Sequence, residues 1–182
     1  MKKTACIAML LGAGFLLIQS CTPKEPTDLK KTSFIPQPVL VEATGDAFNL
    51  SAGTTIYYEE NADGLEQVAH FLAGELQRTT HIDFVVESAG ETPRSGIFIS
   101  LSNEDDDLGK EGYFLSIGKK LVGIKAKSAA GSFYAVQTLL QTLPAKAPAG
   151  EKLIIPTGTV RDFPEYGYRG AMLDVSRHFF GV

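Results

Sequence analysis

A short apolar run near the C-terminus, residues 168–175, constrains the fold of this chain more than any other stretch. Pro164 and Gly167 precede it, and residues of these two types commonly mark turns. The length and composition of the run favour a buried strand of a parallel sheet over an exposed helix. A strand of that kind needs neighbouring strands on both sides, so the run predicts further sheet structure around it.

Charged side chains that an ordinary core strand would not carry lie within this run and directly after it. They are Arg169, Asp174, Arg177 and His178. Because burying unpaired charge is costly, these groups are expected either to pair with one another or to line a polar pocket. Two interpretations are therefore open at this point: a structural ion pair between Asp174 and Arg177, or a ligand site.

The order of residues in this stretch carries a family resemblance. It contains Asp162-Phe-Pro164, Tyr168-Arg169-Gly170, Met172-Leu173-Asp174 and Ser176-Arg177-His178-Phe179. This order resembles the opening of the catalytic barrel in glycoside hydrolase family 20, the β-N-acetylhexosaminidases, whose first barrel strand reads Arg-Gly-x-x-x-Asp-x-(Ser/Ala)-Arg-His-Phe after an Asp-x-Pro lead. Glu165 departs from the arginine that often follows the proline, at a position before the strand.

A second block is similar to the domain that precedes the barrel in the same family. It runs from Gly112-Tyr113 to Gly131-x-Phe-Tyr-Ala-Val-Gln-Thr-Leu-Leu-Gln141. The resemblance implies an α+β domain over residues 34–160, with an antiparallel or mixed sheet and two helices on one face, which packs against the barrel. Residues 161–182 would begin a (β/α)8 barrel that is truncated here, because a complete barrel takes about 250 residues and the sequence has 182.

Periodicity gives an independent outline of the elements. The segments that predict strands are 34–41, 48–50, 54–58, 83–87, 96–101, 111–117, 121–126 and 153–160. Short connections predict one hairpin around Ser51-Ala-Gly53 and another at Gly118-Lys-Lys120. Apolar residues at helical spacing predict helices over 65–78, with Asp63 as cap, and over 129–143, with Ser128 as cap.

The N-terminus has the pattern of an export signal. Residues 1–20 begin with two lysines and continue as an apolar stretch that is too short for an ordinary membrane-spanning helix. Cys21 follows small Ser20 and resembles the lipidated cysteine of a bacterial lipobox, although Ile18 and Gln19 depart from the usual residues. The sequence therefore predicts a lipid anchor at Cys21 in the cell envelope and a polar tether over 21–33; an ordinary cleaved signal is the alternative.

Several classes of function are disfavoured by the remaining sequence. The formal net charge is -4 and the basic residues form no cluster, so nucleic acid is not an expected partner. His70 and His81 have no cysteine or carboxylate at ligand spacing, so no metal site is predicted. The acidic run at 104–107 is interpreted as a solvated loop, because catalytic carboxylates need rigid and contrasting environments.

The family resemblance supplies the functional hypothesis. It implies an exo-β-N-acetylhexosaminidase that removes terminal β-linked N-acetylglucosamine or N-acetylgalactosamine, with retention and with assistance from the substrate's own acetamido group. No cofactor is implied, and the catalytic Asp-Glu pair belongs to a later barrel strand that is absent from this chain, which is expected to be inactive alone. Arg169 matches the family arginine that hydrogen-bonds the outer hydroxyls of the terminal sugar.

Three further residues are retained as site-scaffold candidates. Barrel active sites lie at the C-terminal ends of the strands, which favours Asp174, Arg177 and His178 over Arg169 on geometry alone. Two other functions remain alternatives: a stand-alone carbohydrate-binding or structural interaction module of the cell envelope, and another glycosidase with a similar preceding domain, such as an α-glucuronidase or a hyaluronidase-like enzyme. The motif from Arg169 to His178 argues against the second of these.

Overall fold

Runs rich in Ile, Val, Leu and Phe build a seven-stranded mixed sheet in the computed structural model, which describes residues 28–103, 106–144 and 153–172. The strands are β1 (Leu40–Leu50), β2 (Ile56–Glu59), β3 (Val86–Ala89), β4 (Gly96–Leu101), β5 (Tyr113–Ile117), β6 (Leu121–Ala126) and β7 (Leu153–Asp162). Their order across the sheet is β1-β7-β5-β6-β4-β2-β3. Strands β3, β2, β4 and β6 are parallel, whereas β5, β7 and β1 add antiparallel pairs.

Two helices, α1 (Leu65–Thr80) and α2 (Ala129–Leu140), pack against each other and cover one face of the sheet. The residues of α1 that become buried recur every three or four positions, as in Leu65, Val68, Leu72 and Leu76. Alternate residues of the central strands meet the helices and are fully buried, among them Ile97, Ile99, Leu115 and Ile124. The predicted α+β class, a mixed sheet with two helices on one face, is confirmed.

The second predicted hairpin and the predicted cap of α2 are also confirmed. Strands β5 and β6 pair antiparallel across the turn at Gly118. The Ser128 hydroxyl accepts a hydrogen bond from the backbone N–H of Gly131 and donates one of 2.6 Å to the carbonyl of Lys110. The helix ends at Leu140 instead of residue 143, and Phe133 stays 37% exposed.

The first predicted hairpin is wrong. Strand β1 pairs with β7, and β2 pairs with β3 and β4, so β1 and β2 lie far apart in the sheet. The short turn in which Thr54 donates to the carbonyl of Ser51 looks like a hairpin turn in the sequence but redirects the chain across the sheet. The residues of a turn do not determine which distant strand pairs with the strand before it.

Two local predictions near the helices and the first strand also need correction. Asp63 does not cap α1: the cap residue is Gly64, in the left-handed conformation and without a side-chain hydrogen bond. A glycine adopts that conformation without steric cost. The predicted strand at 34–41 begins only at Leu40, after a cis Ile35–Pro36 peptide and Pro38, and it lies at the edge of the sheet.

The ordered domain begins before the predicted end of the tether at residue 33. Leu29 lies in a short 3₁₀ helix, Leu29–Lys31, that packs on β1 and β7 and buries this side chain completely. Its methyl group occupies the space that Gly158 leaves by having no Cβ. Residues 1–20 and Cys21 lie outside the described part of the chain; within that part, no helix combines the length and apolar character needed to span a bilayer.

The C-terminal stretch does not form the predicted buried strand over the residues that the structure describes. Residues 163–172 form neither a helix nor a strand, and Tyr168 and Met172 are 92% and 94% exposed. The physical reason is the lack of a partner, because residues 163–172 pair with none of the seven described strands and a buried strand needs paired neighbours. Asp174, Arg177 and His178 lie outside the described residues.

Candidate functional site

Side-chain hydrogen bonds at the end of β7 connect this strand with the starts of β1 and β5 and with helix α2. The carboxylate of Asp162 accepts hydrogen bonds from the backbone N–H of Val39 (3.2 Å) and from the Tyr113 hydroxyl (3.4 Å). The same hydroxyl lies 2.5 Å from Oγ1 of Thr138 in α2. Burial raises the pKa of Tyr113, so its hydroxyl stays protonated. These bonds give the following segment a fixed starting point.

After β7, residues 163–172 (the last segment) pass across the loop that leads into β5. A Cβ added to Gly112 would lie 2.8 Å from Cβ of Phe163, so this close approach depends on glycine. The guanidinium of Arg161 lies 5.3 Å from the centre of the Phe163 ring, and it reaches to within 3.9 Å of the Asp107 carboxylate. The segment is therefore held against the 107–112 loop at its first residue.

Arg169 closes this segment back onto the domain. Its Nη1 donates to the carbonyl of Tyr166 at 2.6 Å, and its Nη2 lies 2.5 Å from Oε2 of Glu111. A hydrogen bond with Tyr134 of α2 also contributes to its environment. The bond to Glu111 is the largest cause that raises the pKa of Arg169, so the guanidinium is permanently charged.

A shallow cleft of about 340 Å³ lies between the loop and the segment. Its lining residues are Asp107, Leu108, Gly109, Lys110, Glu111, Phe163, Pro164 and Gly167. Both of its carboxylates already interact with an arginine, Asp107 with Arg161 and Glu111 with Arg169. A planar guanidinium paired with a cleft carboxylate, as Arg169 is with Glu111, suits hydroxyl or carboxylate oxygens of a ligand, so the arrangement supports binding better than proton transfer.

The structure brings only part of the predicted site together. Arg169 is exposed and lies in the later half of the segment 163–172, whereas Asp174, Arg177 and His178 fall outside the described residues. His70 and His81 are exposed, on α1 and at its end. Across residues 28–103, 106–144 and 153–172, no three His, Cys, Asp or Glu side chains are grouped as metal ligands. Residues 104 and 105 of the acidic run are not described.

Glu111 and a second concavity were not found by sequence reasoning. Glu111 was included in a predicted strand, and no local sequence pattern marks it as a partner of Arg169, which lies 58 positions away. The second concavity, of about 310 Å³, lies on the sheet face away from the helices. Phe98, Phe114 and Leu121 line it together with polar side chains, and they alternate with the core residues of β4, β5 and β6.

With the fold and the cleft in view, comparison with known proteins places the chain in a family. The sequence profile of glycosyl hydrolase family 20, domain 2, matches residues 31–163. The matched range covers all seven strands and both helices. The chain belongs to glycoside hydrolase family 20, as the sequence motifs indicated.

Individual relatives agree with this assignment. The chain is 34% identical over 187 residues to a β-hexosaminidase of Porphyromonas gingivalis, across 98% of this chain and 23% of that protein. It is 38% identical over 149 residues to a β-N-acetylhexosaminidase of Cellulomonas fimi, across 81% of this chain and 29% of the relative. The solved family 20 β-N-acetylhexosaminidase of Streptomyces coelicolor A3(2) superposes with a TM-score of 0.69 and 37% identity, over 80% of this chain and 29% of that one.

The chain therefore spans about a quarter of the length of these relatives. The part that all three relatives share with this chain includes the α+β domain, and the alignment with the Porphyromonas gingivalis protein extends over nearly the whole chain. Domain 2 is a partial unit of the family 20 architecture, which is compatible with catalytic residues that lie elsewhere.

Proposed function

We propose that this chain supplies the domain before the catalytic barrel in an exo-β-N-acetylhexosaminidase that removes terminal β-linked N-acetylglucosamine or N-acetylgalactosamine. The observation that carries the proposal is the profile match across residues 31–163 together with relatives that are named for this activity. The motif that starts at Asp162 supports the proposal independently, because this motif resembles the first barrel strand of the same enzymes. The sequence-based boundaries of the proposal are 34–160 for the α+β domain and 161–182 for the beginning of the barrel, and the structure extends the packed domain to Leu29 and to the end of β7 at Asp162.

In this proposal the residues of the chain bind and orient, and the acid chemistry belongs to a later barrel strand. Arg169 hydrogen-bonds the outer hydroxyls of the terminal sugar through guanidinium N–H groups that are not taken by Glu111 and Tyr166. Asp174, Arg177 and His178 shape the surrounding site. The substrate's acetamido oxygen acts as the nucleophile, as the family is known for substrate assistance, and no cofactor takes part.

Activity measurements on two proteins test this proposal. The full-length protein, meaning the product of the complete reading frame that contains this sequence, should hydrolyse 4-nitrophenyl N-acetyl-β-glucosaminide. It should leave the matching β-glucoside intact, because that substrate has no acetamido group. The 182-residue chain alone should hydrolyse neither. Hydrolysis by the chain alone would move the chemistry into this domain, and sugar binding without hydrolysis by the full-length protein would favour the carbohydrate-binding module.

We also propose that the protein is exported and anchored to the bacterial cell envelope through a lipid on Cys21. The support is the sequence of residues 1–21, with its basic start, apolar stretch and Ser20 before the cysteine. One or more acyl chains on Cys21 would hold the domain at a membrane surface. In cells labelled with radioactive palmitate, the wild-type protein should carry label in the membrane fraction, and the Cys21→Ala variant should lose it. Equal labelling of both proteins would contradict the anchor.

A further inference from the structure

The contact between Arg169 and Glu111 crosses from the last segment to the α+β domain. The two residues are 58 positions apart in sequence, and Oε2 of Glu111 lies 2.5 Å from Nη2 of Arg169. We propose that Glu111 is a positioning residue that orients Arg169 for binding the terminal sugar. The inference rests on the proposed function, and it gives the α+β domain a direct part in substrate recognition.

The backbone of Glu111 is fixed from several directions. The N–H of Gly112 donates to the carbonyl of Leu108 at 3.0 Å, and the Ser128 hydroxyl donates to the carbonyl of Lys110 at 2.6 Å. On the far side, Gly112 packs against Phe163 and Gly131 so closely that an added Cβ at position 112 or 131 would collide. Glu111 therefore projects from a rigid point that is shared by the cap of α2 and the start of the last segment.

The way in which Arg169 is held leaves donors for a ligand. Glu111 takes a bond from Nη2, the carbonyl of Tyr166 takes one from Nη1, and Tyr134 is a third hydrogen-bond partner. A guanidinium has five N–H donors in a planar fork, so fixing one edge of the fork orients the remaining donors without consuming them all. An exposed arginine without such a partner would sample many rotamers and would lose conformational entropy on binding.

The solvent exposure of Arg169 and Glu111 distinguishes a positioning role of Glu111 from a role in folding stability. The side chains of Arg169 and Glu111 are 43% and 36% exposed. Exposed ion pairs contribute little to folding stability because water and salt screen them. Neutralising Glu111 should therefore leave the fold intact while it releases the orientation of Arg169. If Glu111 served only folding stability, its neutralisation would destabilise the fold and leave the binding of sugar by the folded protein unchanged.

Steady-state kinetics of the full-length protein test the inference. In Glu111→Gln, kcat/KM for 4-nitrophenyl N-acetyl-β-glucosaminide should fall roughly tenfold. Most of the loss should appear as a higher KM, because hydroxyl contacts are made in the ground state and the transition state alike. Glu111→Asp, which keeps the charge, should recover part of the loss. Glu91→Gln, an exposed glutamate in the loop before β4, is the matched control and should behave as wild type.

A double-mutant cycle shows whether Glu111 acts through Arg169. In an Arg169→Ala background, Glu111→Gln should change kcat/KM by less than about twofold, because coupled residues are non-additive. Thermal unfolding of Glu111→Gln should match that of Glu91→Gln. Full additivity, or unchanged kinetics of Glu111→Gln in an active enzyme, would overturn the inference alone. A wild-type enzyme that hydrolyses no N-acetylhexosaminide would overturn the proposed function first.

Discussion

At the scale of single residues, Tyr113 does the most to join separate parts of this domain. Its ring is buried in the core, and its hydroxyl contacts Thr138 of α2 and Asp162 at the end of β7. Burial is the main cause that raises the pKa of this hydroxyl above the ordinary tyrosine value. Since the folded state holds the proton more tightly than the unfolded state, folding stability should depend on pH in the alkaline range.

The sign of this dependence follows from the direction of the shift. Stability from the protonated Tyr113 is fully present below about pH 10, the value expected for an unfolded chain, and is lost as the pH rises beyond it. Tyr113→Phe should lower the unfolding free energy at pH 7 by about 1–3 kcal/mol, because it removes the hydrogen bonds of a buried hydroxyl. Denaturant unfolding between pH 7 and pH 11 should show this difference shrinking above pH 10.

A matched exposed tyrosine controls for the general effect of alkaline pH. Tyr168→Phe removes a hydroxyl from a side chain that is 92% exposed, so its unfolding curves should follow those of the wild-type chain at every pH. If the Tyr113→Phe and wild-type curves stayed parallel up to pH 11, the buried hydroxyl would not be responsible for the alkaline loss of stability.

At the scale of elements, two glycines inside helices differ in the space around them. A Cβ at Gly74 of α1 would meet no atom within 4 Å, whereas a Cβ at Gly131 of α2 would press into the carbonyl of Gly112 and lie 3.0 Å from Cβ of Ala126. Glycine weakens a helix interior because it loses more backbone freedom than alanine on folding. The close packing of α2 on the loop before β5 outweighs that cost at Gly131.

This contrast gives a paired prediction. Gly74→Ala should raise the unfolding free energy by roughly 0.5–1 kcal/mol, and Gly131→Ala should lower it by about 1–3 kcal/mol through overpacking. Chemical denaturation of the two variants beside the wild-type chain measures both changes. Stabilisation by Gly131→Ala would mean that α2 can move away from the loop, and the rigid placement of Glu111 would then be wrong.

Sequence reasoning succeeded where the signal is local and failed where it is not. The hairpin of β5 and β6 and the Ser128 cap depend on residues close together in the chain, and both were predicted. The pairing of β1 with β7 joins residues more than a hundred positions apart, so a turn-like Ser51–Thr54 segment was misread as a hairpin. Arg169 was predicted from its motif, and its contact with sugar stays a prediction; its partner Glu111 could not be predicted, because only the folded chain brings the two together.

At the scale of the whole molecule, the helix layer carries an aromatic surface that this chain leaves partly open. The ring centres of Phe71 and Phe133 are 5.0 Å apart, and those of Phe133 and Tyr134 are 6.1 Å apart. Phe133 and Tyr134 are 37% and 38% exposed. The family resemblance implies a barrel packed against this domain, and Arg169 already brings the last segment to Tyr134.

If this surface is covered in the full-length protein, a polar substitution there should have different effects in the two proteins. Phe133→Ser should lower the thermal unfolding midpoint of the full-length protein clearly more than that of the 182-residue chain, because more apolar area would be lost. The control is Val85→Ser, at a residue that is 55% exposed and directly precedes the edge strand β3. This substitution should affect both proteins equally. Equal effects of Phe133→Ser would place the barrel elsewhere.

The central claim is that Arg169 of this chain binds the terminal sugar of a β-N-acetylhexosaminide. The most direct test is hydrolysis of 4-nitrophenyl N-acetyl-β-glucosaminide by the full-length wild-type protein and by its Arg169→Ala variant, with circular dichroism to check that both are folded. We expect an active wild-type enzyme and a loss in kcat/KM of roughly a hundredfold, as befits several lost charge-assisted hydrogen bonds. Equal activity of the two folded proteins would contradict the account.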